Sequence, residues 1–213
     1  MSSPGKSCIP AQRLAGRDLG LIRGERVLFR DLNFDLAAGQ LLLIEGPNGS
    51  GKTSLLRVIV GLVQPQDGTI TWRGADIAKQ RQAYHDELVW LGHRLGFKGD
   101  LTVAENLRAE AGLRRMSAAP DLPVFEQLGI AALTGLPFRV LSAGQQRRVA
   151  LARLLRVKAV LWLMDEPFTN LDAGGQALVT KLLQAHLAGG GTAVVATHHE
   201  LNIDASVQRI RLI

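Results

Sequence analysis

Three short apolar runs punctuate the chain: Leu41-Leu42-Leu43-Ile44, Ala159 to Met164, and Thr192 to Thr197. Each is too short for a helix and too uniformly apolar for a strand with one wet face. Each therefore reads as a strand buried on both sides of a parallel sheet. Helical stretches lie between them, Lys52 to Val60 ended by Gly61, and Gly174 to Ala188 closed by Gly189-Gly190-Gly191. Strands alternating with helices predict a layered α/β core. Ahead of the core, Leu14 to Leu36 reads as short strands broken by turns, with Arg23-Gly24-Glu25-Arg26 as a hairpin tip. Ala38-Gly39 and Gln66-Asp67-Gly68 are turns, the second leading into a strand over Thr69 to Trp72, and Leu88 to Leu91 is another short strand. From about residue 96 to 152 the pattern becomes helical and polar, with Pro120, Pro123 and Pro137 as breaks, so a helical insertion is expected there.

Composition narrows the class. With 46% hydrophobic residues in 213, the chain can bury a real core and is neither disordered nor fibrous. No apolar run approaches the roughly 18–20 residues a spanning helix needs. Met1 to Pro10 is polar, carries one lysine and is followed by no apolar segment, so it is no secretory signal; residues 1–12 are expected to be a flexible leader to a domain over 13–213. One cysteine, Cys8, excludes an internal disulfide and fits a reducing compartment. The net charge is +6, with basic clusters at Arg108, Arg114 and Arg115 and at Arg147, Arg148, Arg153 and Arg156. These read as solvated helix faces; attraction to anionic lipid is the sharper reading. Nucleic acid is disfavoured as a partner because no aromatic residues interleave the charges.

The first buried run leads into Gly46-Pro47-Asn48-Gly49-Ser50-Gly51-Lys52-Thr53, and a helix follows. Glycines at these places let successive backbone N–H groups turn toward one anion, and the helix N-terminus adds partial positive charge. Lys52 reaches β- and γ-phosphates, and the Thr53 hydroxyl is a hard oxygen ligand for Mg²⁺. The pattern predicts Mg-ATP binding. The second buried run ends in Asp165 and Glu166. In P-loop ATPases an aspartate at that place completes the Mg²⁺ shell, and a carboxylate beside it can act as general base on water.

Leu141-Ser142-Ala143-Gly144-Gln145 precedes a basic amphipathic helix, Gln146 to Leu155. A serine hydroxyl, a glycine N–H and a helix start form a second anion site. One nucleotide does not need two such cradles from one chain. A head-to-tail dimer, in which each chain's second cradle caps the other's ATP, does.

Taken together, Gly46–Thr53, Leu141–Gln145, Asp165–Glu166, Asn170-Leu171-Asp172 and His198 resemble the nucleotide-binding subunit of ATP-binding cassette (ABC) transporters, over about residues 14 to 211. The resemblance implies an α/β P-loop NTPase fold: a parallel-sheet core, an N-terminal antiparallel β subdomain and the helical insertion. It also implies that Ser142, Gly144 and Gln145 contact the partner's γ-phosphate, that Asp172 communicates across the dimer and that His198 contacts the γ-phosphate. His199 is then a surface residue, since neighbouring strand-end side chains point apart. Ala143 stands where the signature usually has glycine, and its small size leaves the cradle intact. His93 stands where the family carries a glutamine that contacts Mg²⁺ and the membrane partner. Imidazole can bond water or metal there, with different geometry. No aromatic residue stands at the usual adenine-stacking place, which holds Leu21, Ile22 or Arg23. Arg23 can stack its guanidinium plane on the base.

Trp90-Leu91-Gly92-His93, Gly96-Phe97-Lys98, the Ala143 variant and Thr197-His198-His199-Glu200 are similar to the ATP-binding subunit of the bacterial haem exporter of c-type cytochrome maturation. That similarity implies an ATP hydrolase that works as a homodimer with separate integral membrane subunits, peripheral on the cytoplasmic face of the inner membrane, exporting or releasing haem or a haem-chaperone. The alternatives are the ATPase of another ABC exporter, a soluble non-transport ABC ATPase, and a P-loop kinase. The signature argues against the kinase.

Overall fold

The computed structural model describes residues 13–114 and 121–213. The expected leader with Cys8, together with Arg115 and Pro120, lies outside the described residues.

Two sheets form. The N-terminal one is antiparallel. Strands β1 (Arg13–Arg23) and β2 (Arg26–Ala37) form a hairpin, and β4 (Asp67–Trp72) and β5 (Ala75–Asp76) extend it in the order β2-β1-β4-β5. Instead of several short strands, Arg13 to Ala37 makes two long ones. The polar breaks in the sequence are bulges: the β1–β2 register shifts between Gly16 and Leu19, and Asp18 and Asp31 take positive φ. A bulge kinks the ribbon without ending it. Gly16 passes so close to Phe34 that a Cβ there would lie 2.5 Å from its ring.

The second sheet has five strands, all parallel: β6 (Leu88–Leu91), β7 (Leu161–Asp165), β8 (Thr192–Ala196), β3 (Leu41–Glu45) and β9 (Val207–Arg211), in that spatial order. Its apolar runs alternate between two cores. Leu42, Ile44, Leu161, Leu163, Val194 and Ala196 face helix α1 (Lys52–Val60) and the antiparallel sheet. Leu41, Leu43, Trp162, Met164, Ala193 and Val195 face the other way, toward α5 (Ala143–Arg156) and α6 (Ala173–Ala188). This two-sided burial is why the sequence shows unbroken apolar runs rather than alternation. β9 and the short helix α2 (Arg81–Glu87) carry no such run and were not anticipated. β9 is a half-wet edge strand, tied to β3 by an Arg209–Glu45 ion pair of 2.6 Å.

The insertion holds α3 (Val103–Leu113), α4 (Leu122–Gln127) and the start of α5. α3 starts on a capping box, with the Thr102 hydroxyl accepting from the Glu105 N–H and the Glu105 carboxylate accepting from the Thr102 N–H. Buried Asn106 closes the preceding turn through the N–H and carbonyl of Lys98. The basic residues of α5 are not the solvated face expected. Arg147 is buried, and Arg153 lies 2.6 Å from Glu110 and 4.2 Å over the Phe97 ring. Arg156 donates to the Leu107 carbonyl. Their long stems cover apolar surface while the guanidinium heads find partners. On α3, Arg108 is exposed as expected.

Candidate nucleotide site

β3, β8 and β7 are neighbours, and parallel strands aim their carboxyl ends one way. Three polar segments therefore meet on one rim: the glycine loop after β3, Asp165–Glu166 at the end of β7, and Thr197–His198 after β8. A cleft of about 600 Å³ opens there, lined among others by Pro47, Asn48, Gly49, Gly51, Lys52, Thr53, Asp165 and Glu166.

The loop's conformation demands its glycines. Gly46 has φ 151°, and a Cβ on it would meet the Leu212 carbonyl at 2.5 Å. Gly51 takes φ 104° as the N-cap of α1, and no side chain caps the helix. The first N–H groups of α1 are thus left for an anion in the cleft. Lys52 is 7% exposed. Its Nζ donates to the carbonyls of Gly46 (2.7 Å) and Pro47 (3.2 Å) and lies 3.7 Å from Glu166 Oε1. Ser50 is buried with its hydroxyl unpartnered.

The Thr53 hydroxyl donates to Asp165 Oδ2 at 2.8 Å. Asp165 is 1% exposed, and its Oδ1 has no partner. Burial, together with the neighbouring Glu166 charge, holds the Asp165 carboxyl above its ordinary range, against the Thr53 hydrogen bond and the charges of His93 and Arg147. A hydroxyl and an orphaned carboxylate oxygen side by side are the hard donor set that suits Mg²⁺. Glu166 sits in the left-handed region, φ 47°, and its Oε2 lies 3.0 Å from His198 Nδ1. Lys52 and His198 thus bracket one carboxylate. His199 is half-buried rather than a surface residue, tilted against Phe168 with ring centroids 5.6 Å apart. The two imidazoles lie 4.6 Å apart, so they do not point in opposite directions as expected.

His93 is exposed on the border of two cavities, the nucleotide cleft and a second one lined by Phe97, Phe138, Ala143, Arg147 and Glu166. Arg23 lines the nucleotide cleft, as do Arg26 and Leu28 across the hairpin, which were not anticipated. The sequence signal for Arg26 is its place at the expected hairpin tip, and Leu28 lies two residues beyond it. Leu21 lies in the core instead.

The second cradle stands apart. Ser142 N-caps α5 in a capping box: its hydroxyl accepts from the Gln145 backbone N–H at 3.2 Å, and the Gln145 side-chain Oε1 accepts from the Ser142 N–H at 2.9 Å. These bonds use acceptors only, leaving the Ser142 O–H and the Gln145 NH₂ free to donate. Ser142, Ala143 and Gln145 are exposed, and none of residues 142–145 lines the nucleotide cleft. Gly144 packs so closely that a Cβ would lie 2.8 Å from the Asn170 carbonyl, whereas Ala143 is exposed and keeps its methyl without hindrance. Asp172 caps α6 through the Gly175 N–H (2.8 Å) and pairs with Arg148 (2.9 Å); these two contacts hold its carboxyl below the ordinary range.

This geometry has a counterpart in known proteins. The family model described as ABC transporter matches residues 29–169. The chain belongs to the ABC transporter family. The cassette is 46% identical over 201 residues to the cytochrome c biogenesis ATP-binding export protein CcmA of Methylococcus capsulatus, covering 93% of this chain and 97% of that one. It is 42% identical to the protein of that name from Escherichia coli K12, covering 93% and 96%. Among solved structures, the dimeric ATP-binding cassette MJ0796 in a post-hydrolysis state bound to ADP and Pi aligns with a TM-score of 0.74, at 24% identity, over 87% of this chain and 88% of that one. An ATP-binding subunit of an ABC transporter aligns with a TM-score of 0.77 at 22% identity, over 87% and 79%. At these identities the two structures establish the fold. The cassette is an ATP-hydrolysing subunit of the ABC type, and transporters of this family need a membrane part. Among the described residues no helix is long and apolar enough to cross a membrane.

Proposed function

We propose that the cassette is the ATPase subunit of the haem exporter of c-type cytochrome maturation, working as a two-fold dimer on separate integral membrane subunits at the cytoplasmic face of the bacterial inner membrane. One observation carries this reading: relatives named for cytochrome c biogenesis export match 90–93% of the chain at 41–47% identity. The cargo, haem or a haem-chaperone, is handled by membrane and periplasmic partners.

In this reading the backbone N–H groups of Gly46 to Thr53 wrap the phosphates. Lys52 exchanges the Gly46 and Pro47 carbonyls for β- and γ-phosphate oxygens. Thr53 and Asp165 would hold Mg²⁺, which supplies neutralisation of the phosphate charge when bound. Glu166 takes the proton of the attacking water, and its attachment to His198 links that base to the γ-phosphate side. Ser142, Ala143, Gly144 and Gln145 of a second copy close the site with their free donors, and Asp172 reports closure across the dimer. His93 stands at the border with the membrane subunits, and Arg23 stacks on adenine.

Affinity capture of the cassette from solubilised membranes tests the export reading. Membrane subunits of cytochrome c maturation, with haem visible by its absorbance, are expected. Co-purification of a different exporter's membrane subunits would overturn the cargo assignment and leave the ATPase standing.

A further inference from the structure

Arg147 is buried on the second turn of α5, and each of its contacts goes to the catalytic rim. Nε donates to the Pro167 carbonyl (3.2 Å), Nη1 to Gly92 (3.3 Å), and Nη2 to Asp165 (2.9 Å) and to Glu166. One guanidinium thus gathers four backbone carbonyls, three of them consecutive and centred on Glu166. The Glu166 N–H is held separately, by the Ala196 carbonyl of β8 at 2.8 Å. Between these two restraints the residue adopts φ 47°, a conformation that side chains beyond glycine rarely take without support. The fourth carbonyl, Gly92, directly precedes His93.

We infer that Arg147 is the positioning residue for Glu166: it fixes the backbone from which the carboxylate is aimed at the attacking water, and it ties that backbone to His93 and to the helix that begins at Ser142. The inference rests on the reading of Glu166 as general base. It has a geometric consequence. Ser142 and Arg147 share one rigid helix, so the surface offered to the partner's nucleotide and the clamp on this chain's own base move as one body. Arginine is required because its donors are spread over a planar fork. A lysine ammonium offers its donors from a single point and cannot span carbonyls from Gly92 to Pro167. Burial lowers the guanidinium to about 10, against the pull of the Asp165 and Glu166 charges, so it stays charged at neutral pH.

The test is steady-state hydrolysis by the cassette within its membrane complex, for Arg147→Lys and Arg147→Gln. Each is assayed at a temperature where its melting curve shows it folded. The expected result is a graded fall in kcat, about tenfold for Lys and about a hundredfold for Gln, with the KM for ATP within about threefold of wild type. If Arg147→Gln does not fold, Arg147→Lys carries the test. Unchanged kcat in the folded variants, or a rise in KM as large as the fall in kcat, overturns the inference. Glu166→Gln is assayed alongside. If that variant still hydrolyses ATP at the wild-type rate, the general-base reading fails, and that outcome is distinguishable from an Arg147 without effect.

Discussion

At the residue scale the site is built around one carboxylate made uneasy by burial, Asp165. Asp165 sits at the end of a strand with both faces covered, so its carboxylate is dry on one oxygen and bonded to Thr53 on the other. Its folded-state pKa lies above the unfolded one because burial disfavours the charge. The folded chain therefore holds that proton more tightly. The stability contributed is present below the ordinary carboxylate range and is lost as pH rises through the raised value. At neutral pH the ionised group destabilises the nucleotide-free cassette. Asp165→Asn, which keeps an acceptor for Thr53, is expected to raise the nucleotide-free melting midpoint, and by more at neutral pH than in acid. Hydrolysis should drop on the order of 10–100-fold. Melting followed by circular dichroism, beside a phosphate-release assay, checks both halves. Glu166 shows the complementary device, strain held in place: its left-handed backbone is stable only because β8 and Arg147 grip it from both sides.

At the element scale, helix ends carry the chemistry and helix bodies carry the packing. α1 leaves its N-terminus uncapped toward the cleft, whereas α5 is capped by Ser142 and still presents free donors. Ser142→Ala should cost about 1 kcal/mol in urea unfolding as a lost cap. It should also weaken ATP-driven dimerisation, seen by light scattering, by more than that loss of stability explains. The joint between α6 and β8 offers a second check. His186 stacks on Trp162 with ring centroids 3.9 Å apart, and its Nε2 donates to the Thr192 carbonyl at 3.2 Å. Burial holds its pKa below the ordinary imidazole value, so the unfolded chain binds the extra proton first. Stability then rises with pH through that window and is lost as pH falls below the ordinary value. Relative to wild type, His186→Gln should gain melting midpoint as pH is lowered from about 8 to 5, whatever the trend the other groups impose on both. An equal pH dependence in both would place the titration elsewhere.

At the scale of the whole molecule, the glycine loop and the start of α5 lie apart on one chain, and the proposed sandwich would make a single copy incomplete. The nucleotide cleft has no residue from 142–145 in its lining, while Ser142 and Gln145 hold free donors at the surface. In a two-fold pair, each site combines one copy's loop with the other's signature. Two inactive variants then complement each other. Lys52→Ala spoils the loop and Ser142→Arg spoils the signature; a mixed dimer retains one site with both halves intact. Reconstituting the two together should recover about a quarter of wild-type turnover, since half the dimers are mixed and each of those has one site. Turnover no greater than that of either variant alone would count against the sandwich.

The sequence by itself determined the parts whose physics is local. Unbroken apolar runs gave away the doubly covered strands, and helix α1 runs over Lys52–Val60 as read. Glycines with no alternative conformation marked the phosphate loop, and Ser142 with Gln145 marked a helix start. Those signals survive because backbone sterics and two-sided burial act on neighbours in the chain. What only the tertiary structure decided are the pairings of distant polar groups. Arg147 looked like one of several surface cations, and burial turned it into a clamp on residues 18 to 20 positions ahead and 55 behind. β9 has no apolar run because its edge is wet, and hydrogen bonding to β3 alone makes it a strand. The Thr53–Asp165 bond spans 112 positions. It exists because β3 and β7 flank β8 in one parallel sheet, an order that no local pattern encodes.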